Sequence, residues 1–220
     1  MSLPLPIRRL TLCYVTDRKT LRGSADEQVR ALVEKIESAG RAGVDWIQVR
    51  EKDLSGRALA DLVEQALARV PRSCRILVND RLDVAVAQGA AGVHLGEMSM
   101  PVEEARRLSK ERAGTDFLVG ASIHSLAFAQ DAEARRADYV IFGPVFETPS
   151  KKKFGPPQGL ERLAEVCARV AVPVIAIGGI TEQNAKECIA AGVSGIAAIR
   201  LFQDARDLPA LVSRLRGQVG

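Results

Sequence analysis

Val44-Asp45-Trp46-Ile47-Gln48-Val49-Arg50-Glu51-Lys52-Asp53 changes character halfway along. Val44 to Ile47 is a short apolar run that reads as a buried strand. Gln48, Arg50 and Lys52 then follow at alternating positions. In extended backbone, alternate side chains point to one side. One side of this strand end would therefore present an amide, a guanidinium and an ammonium together. A hydrophobic core has no use for that trio, whereas a polyphosphate does.

Working outward, the same unit recurs along the 220 residues. Strands are expected at Thr11–Val15, Val44–Val49, Ile76–Val78, Gly92–Leu95, Phe117–Ala121, Tyr139–Phe142, Val174–Ile177 and Gly195–Ile199. Helices are expected over Asp26–Ala42, Ser55–Ala68, Arg81–Gln88, Pro101–Ser109, Ser125–Arg135, Gly159–Val170, Glu182–Ala190 and Arg206–Leu215. The strands are apolar on both faces, as parallel strands covered by helices are. Ala39-Gly40, Gln88-Gly89 and Ala191-Gly192 read as helix C-terminal glycines. Eight β-then-α units predict a single-domain (β/α)8 TIM barrel over residues 1–220, with 1–9 a loosely attached or disordered N-terminal segment. A doubly wound open sheet is disfavoured by the count of eight and by the lack of an early GxGxxG after a strand.

Composition narrows the partners. The chain is 47% hydrophobic and 26% charged, with a net charge of +4, which suits anionic ligands. At 4% aromatic, with no basic stretch interleaved with aromatics, it offers no stacking surface for nucleic acid. No apolar run is long enough for a membrane span, and Met1 to Arg9 is too short and proline-punctuated for a signal peptide. A cytoplasmic location is expected, and a homo-oligomer is left open. Cys13, Cys74, Cys167 and Cys188 sit among apolar residues and read as buried free thiols.

In such a barrel, chemistry sits where the strands end. Asn79-Asp80 follows the third strand, where a carboxylate beside a basic cluster suits Mg2+ on a polyphosphate, or caps the next helix. His124, after Ser122 on the fifth strand, suits proton transfer or a helix-start hydrogen bond. His94 reads as a satisfied interior residue. Gly143 to Lys153 carries hydroxyls and three lysines, and reads as a lid over an anion or as a solvated loop. Gly178-Gly179 follows the seventh strand and suits either phosphate binding by backbone amides or a tight turn. Ile199-Arg200 ends the eighth strand.

Taken together these pieces resemble the thiamine phosphate synthase and thiazole tautomerase superfamily over nearly the whole chain. The matching stretches are Tyr14-Val15-Thr16-Asp17, Gln48 to Asp53, Asn79-Asp80, Gly92 to Gly96, Gly120 to His124, Gly143 to Thr148, and Ile177 to Ile180. The resemblance implies an enzyme that joins an aminopyrimidine methyl pyrophosphate to thiazole phosphate and releases pyrophosphate. It implies that Gln48, Arg50, Lys52 and Asn79 contact the pyrimidine pyrophosphate, that Asp80 holds Mg2+, and that Ser122 and Lys151 contact the leaving pyrophosphate. It assigns the thiazole phosphate to Thr148, Ser150, Gly178-Gly179 and Ile199-Arg200.

Two positions depart from the synthase pattern. Ser99 stands where a second metal-binding aspartate is usual, and Glu97, in place of a glutamine, is the candidate substitute ligand. Arg200 stands where a serine is usual. The tautomerase branch needs neither Mg2+ nor pyrophosphate, and the resemblance would give its proton transfer to His124. A barrel that binds a phosphorylated thiazole or pyrimidine without turnover is the third reading. The intact Gln48, Arg50, Lys52, Asn79 and Asp80 set favours the synthase.

Overall fold

Eight short apolar runs pair edge to edge because each buries both of its faces and leaves its backbone to be satisfied by neighbours. The structure, a computed structural model, describes residues 9–113, 116–148 and 156–218. The strands are β1 Thr11–Val15, β2 Trp46–Val49, β3 Arg75–Asn79, β4 Gly92–Leu95, β5 Leu118–Ile123, β6 Tyr139–Phe142, β7 Val174–Ile177 and β8 Gly195–Ala198. They form a closed parallel barrel in the order β1 to β8, with β8 paired back to β1. The expected (β/α)8 barrel is what the chain forms. Around it lie α1 Ala25–Arg41, α2 Gly56–Arg69, α3 Leu82–Ala87, α4 Val102–Ala113, α5 Leu126–Ala134, α6 Gly159–Arg169, α7 Ala185–Ala190, α8 Arg200–Gln203 and α9 Leu208–Arg216. A 3-10 turn covers Arg18–Thr20.

The two-residue period divides the strand residues between two cores. Cys13, Val15, Trp46, Leu77, Leu118, Tyr139, Ile141, Ile175 and Ala197 fill the barrel interior. Leu12, Tyr14, Ile47, Val49, Ile76, Val78, Val93, Val119, Val140, Phe142 and Ile196 face the helices and pack against residues such as Leu32, Ile36, Leu62 and Leu163. The same parity sends Gln48, Asn79, His94 and Ser122 inward at the upper layer of the barrel.

The differences from expectation are local. β2 starts at Trp46, and Asp45 before it gives its carboxylate to the Leu12 backbone N–H (2.9 Å) and to Arg9 and Arg216. Arg9 is therefore fixed by an ion pair, while the rest of the expected N-terminal segment, 1–8, lies outside the described residues. β5 runs on to Ile123, and β8 stops at Ala198 where the unexpected α8 begins. Helix α1 continues through Gly40, and the left-handed glycine after it is Gly43; Gly89 and Gly192 are left-handed as expected. Helix α7 starts at Ala185, because Thr181 to Asn184 form a turn closed by the Asn184 side chain on the Thr181 N–H (2.8 Å). Three cysteines are buried, and Cys167 is only partly so. Among the described residues no helix is long and apolar enough to cross a membrane.

Candidate active site at the barrel mouth

Gln48 and Asn79 lie on neighbouring strands, and both point into the mouth. The Gln48 side-chain Nε2 donates to Asn79 Oδ1 (2.9 Å), and Asn79 Nδ2 donates to Asp80 Oδ2 (2.7 Å). This line has a fixed sense. A carboxylate can only accept, so Asn79 turns its amide nitrogen to Asp80 and its oxygen to Gln48. Gln48 must then give a proton to Asn79, and its own oxygen is left for a ligand.

Asp80 does not cap α3. The N-cap of that helix is Arg81, with no side-chain bond, and the Asp80 carboxylate turns to β4 instead. It accepts from the Gly96 N–H (3.0 Å) and from the Ser99 hydroxyl, while Lys52 Nζ stands 3.7 Å away. The Asp80 backbone is left-handed (φ 61°), an uncommon state that costs about 1 kcal/mol and is held by these contacts. Burial alone would raise its pKa. The bonds from Ser99, Gly96, Lys52 and Asn79 outweigh that and hold it below the ordinary aspartate value.

Arg50 and Lys52 are not on the strand. β2 ends at Val49 and the backbone then turns, so strict alternation places Gln48 but not the two cations. A buried ion-pair cluster holds them instead. Glu51 accepts from the Thr16 hydroxyl (2.6 Å), the Arg18 backbone N–H (3.2 Å) and the Arg18 guanidinium (3.0 Å). Both terminal nitrogens of Arg18 donate to Asp53 (2.7 Å each), and Thr16 Oγ1 accepts from the Arg50 backbone N–H (2.9 Å). Asp53 is driven well below the usual carboxylate range, first by the Arg18 hydrogen bonds. Lys52 thus sits between two residues clamped to the 3-10 turn. The Arg50 guanidinium makes no ion pair among the described residues, and together with Lys52 it disfavours a proton on buried His94.

Ser122 is partly exposed at the mouth, and its hydroxyl meets His94 Nε2 at 2.9 Å. His94 is buried as expected, and burial lowers its pKa to about 4, so it is neutral at neutral pH. His124 is placed differently. Its Nδ1 bonds the Gly143 carbonyl, and it lines a cavity of about 190 Å3 with Ser125, Phe142, Arg162, Glu165 and Val166. Phe142 and Val166 belong to the layer between barrel and helices, so His124 stands behind the strand ends and not beside Gln48 and Asn79.

The loop after β6 is anchored at both ends. Val145 N–H donates to the Ile177 carbonyl (2.9 Å) and Phe146 N–H to the Gly178 carbonyl (3.0 Å). On the return, Gln158 N–H reaches the Pro144 carbonyl (2.7 Å) and Gly159 N–H the Val145 carbonyl (3.1 Å). Thr148 is partly exposed on this loop; Ser150 and Lys151 lie outside the described residues. Gly178 and Gly179 both have positive φ, and a Cβ on Gly179 would fall 2.5 Å from the Glu147 carbonyl oxygen. The glycine pair is thus required by the packing of this loop, which gives the tight-turn reading direct support. Arg200 is exposed at the start of α8, directly after Ile199.

Toward a divalent metal, Asp80 and Ser99 are brought together by their hydrogen bond, and Glu97 stands exposed two residues before Ser99. No group of three or more His, Cys, Asp or Glu that could hold a metal occurs among the described residues. One carboxylate and a hydroxyl fit Mg2+ only as a partial shell, the remainder coming from substrate phosphates, as is common for this ion.

The sequence profile of the thiamine monophosphate synthase family matches residues 12–202. The chain belongs to that family. It is 42% identical over 212 residues to a thiamine-phosphate synthase of Methanoculleus marisnigri, covering 94% of both chains. To a thiamine-phosphate synthase of Chlorobium phaeobacteroides it is 40% identical over 201 residues, 89% of each. The solved thiamine phosphate pyrophosphorylase of Pyrococcus furiosus superposes with a TM-score of 0.82 at 32% identity, covering 97% of this chain and 99% of that one. The matched span contains every strand-end residue discussed above. What reading the sequence missed is the support behind them: Thr16, Arg18 and Glu51. The one available signal was an acid, Glu51, interrupting a row of cations.

Proposed function

We propose that this member of the thiamine monophosphate synthase family is a thiamine phosphate synthase acting in the cytoplasm on two small phosphorylated substrates. An aminopyrimidine methyl pyrophosphate loses pyrophosphate, and the ring nitrogen of a thiazole phosphate bonds to the freed carbon. The observation that carries the reading is the directed Gln48–Asn79–Asp80 line, with Lys52 at its end. It leaves the Gln48 oxygen to accept from an exocyclic amine, and gathers the charged groups on one side.

In the reaction the methylene C–O bond breaks and its electron pair stays on the pyrophosphate oxygen. The nitrogen lone pair of the thiazole then forms the C–N bond. Negative charge grows on the leaving group, so fixed cations aimed at it stabilise the transition state more than the ground state. Arg50 and Lys52 supply that charge, and Ser122 supplies a hydroxyl from β5, two strands beyond Asn79. Mg2+, when bound, would neutralise part of the pyrophosphate charge, held by Asp80 with Ser99 beside it and Glu97 as the second candidate carboxylate. Thr148, Ser150, Lys151, the Gly179 amide and the backbone at Ile199-Arg200 are assigned to substrate phosphates on the other side. No nucleophilic side chain is needed.

His124 is committed to the Gly143 carbonyl and stands behind the strand ends, which gives the tautomerase reading no support. The test is to incubate the purified protein with both substrates and Mg2+. Thiamine phosphate and pyrophosphate are expected in equal amounts. Absence of both would sink the reading. Conversion of the unaromatised thiazole, lost in His124→Ala, would put the tautomerase in its place.

A further inference from the structure

His94 belongs to none of the groups given a role above, yet among the described residues it is the buried side chain that joins the barrel interior to Ser122. Its ring lies nearly parallel to Tyr139 (25°, centroids 5.6 Å apart), and Trp46 packs on Tyr139 at 4.7 Å. Nδ1 is 3.2 Å from the Tyr139 hydroxyl, and Nε2 is 2.9 Å from the Ser122 hydroxyl. We propose that His94 is a positioning residue, whose Nε2–H donates to Ser122 and so obliges the Ser122 hydroxyl to donate into the barrel mouth.

A neutral imidazole carries one proton and offers one lone pair. If the proton were on Nδ1, it would point at the Tyr139 oxygen, and the Tyr139 proton would need another acceptor. Tyr139 is fully buried, its hydroxyl meets no other partner among the described residues, and it sits over Gly120, where any Cβ would collide with its ring. A buried hydroxyl left without an acceptor is disfavoured by about tenfold or more. With the proton on Nε2 every atom is satisfied. Tyr139 donates to Nδ1, and Nε2–H donates to Ser122. The Ser122 proton then has nowhere to go inside the wall.

This matters because phosphate oxygens have no protons to give. A serine that donated to His94 would turn lone pairs toward an anion and repel it. A serine that accepts from His94 turns its proton outward, and a hydrogen bond to a charged acceptor is about twice as strong as a neutral one. The barrel interior, through Tyr139 and His94, thereby sets the polarity of one hydroxyl at the mouth. The identity of the anion rests on the synthase reading; the direction of the proton does not.

Two measurements separate these. Long-range 1H–15N correlation spectra of the full chain at neutral pH report which imidazole nitrogen is protonated. The chain has 2 histidines, and His94→Gln removes one signal set and assigns the other. Protonated Nε2 with bare Nδ1 is expected; an Nδ1–H tautomer overturns the proposal whatever the enzyme's activity. In the synthase assay, His94→Ala is expected to lower kcat by about 10- to 100-fold with the thiazole phosphate KM unchanged. In a Ser122→Ala background the same change should add less than about threefold. Independent losses that multiply would overturn it. His94→Gln, which keeps a donor and an acceptor, should recover most of the rate, and it serves if the alanine variant does not fold. A wild-type protein without turnover would overturn the synthase reading while leaving the spectrum to decide the tautomer.

Discussion

Lys52 reaches Asp80 from a turn, and both partners keep more than a third of their side-chain surface open to solvent (57% and 34%). An ion pair of that kind contributes about 0–1 kcal/mol to folding. Its value lies in aiming an ammonium at the place where pyrophosphate charge would grow. Lys52→Ala should therefore leave the melting temperature nearly unchanged. The same variant should lower kcat by about 100-fold or more, with the KM for thiazole phosphate within about threefold. Steady-state kinetics with each substrate varied in turn make the check, and equal loss in rate and thiazole affinity would contradict the role. At this scale Gln48, Asn79, Asp80 and Ser122 were legible in the sequence, because polarity at a strand end and two-residue parity are local properties. Ser99 was legible only as a missing carboxylate. Its hydroxyl bond to Asp80 needed the fold.

The elements were legible to within a few residues, and their failures have physical causes. Helix α8 has four residues, too few to show any helical period, so Arg200 read as the end of a strand. The Arg18 cluster joins residues more than thirty positions apart, and it exists only because β1 and β2 lie side by side. Asp80 fitted a helix cap by sequence, and the left-handed backbone that turns it elsewhere leaves no local mark beyond the Asn-Asp pair. The glycine turn after β7 was seen, but its reason was not: the loop after β6 lies directly on it. Gly179→Ala asks for a left-handed alanine and pushes a Cβ against the Glu147 carbonyl. Strain and displacement together should cost about 2–4 kcal/mol. Urea unfolding should show this as a lower midpoint with unchanged slope. A variant as stable as the parent would mean that the loop yields freely.

Across the whole molecule, two apolar shells surround one buried, uncharged imidazole, which makes stability depend on pH in a defined window. The pKa of His94 is lowered from 6.5 to about 4 by burial. Above 6.5 the folded and unfolded states are both neutral there, and the group contributes nothing. As pH falls below 6.5 the unfolded state takes a proton that the folded state refuses, so stability declines until pH reaches about 4. The full decline is about 3 kcal/mol. The carboxylates with lowered values, Glu27, Asp53, Asp80, Asp83 and Glu182, lose their contribution only as pH falls below their ordinary values of 3.8 to 4.5, at or beyond the acid end of this window. Unfolding free energies measured from pH 7 to pH 4 should show the slope, and His94→Gln should flatten it. The barrel also treats one stretch of its chain differently from the rest. Backbone bonds from Pro144 and Val145 to Gln158 and Gly159 bring the ends of the loop after β6 together before any residue between them is counted. Closure is then fixed by the neck, and doubling the intervening length would add only about 0.6 kcal/mol of chain entropy. A change of length between Thr148 and Gln158 therefore carries a small entropic cost, which makes this stretch of the sequence a natural place for substrate choice to drift while Gln48, Asn79 and Asp80 stay fixed by their own bonds.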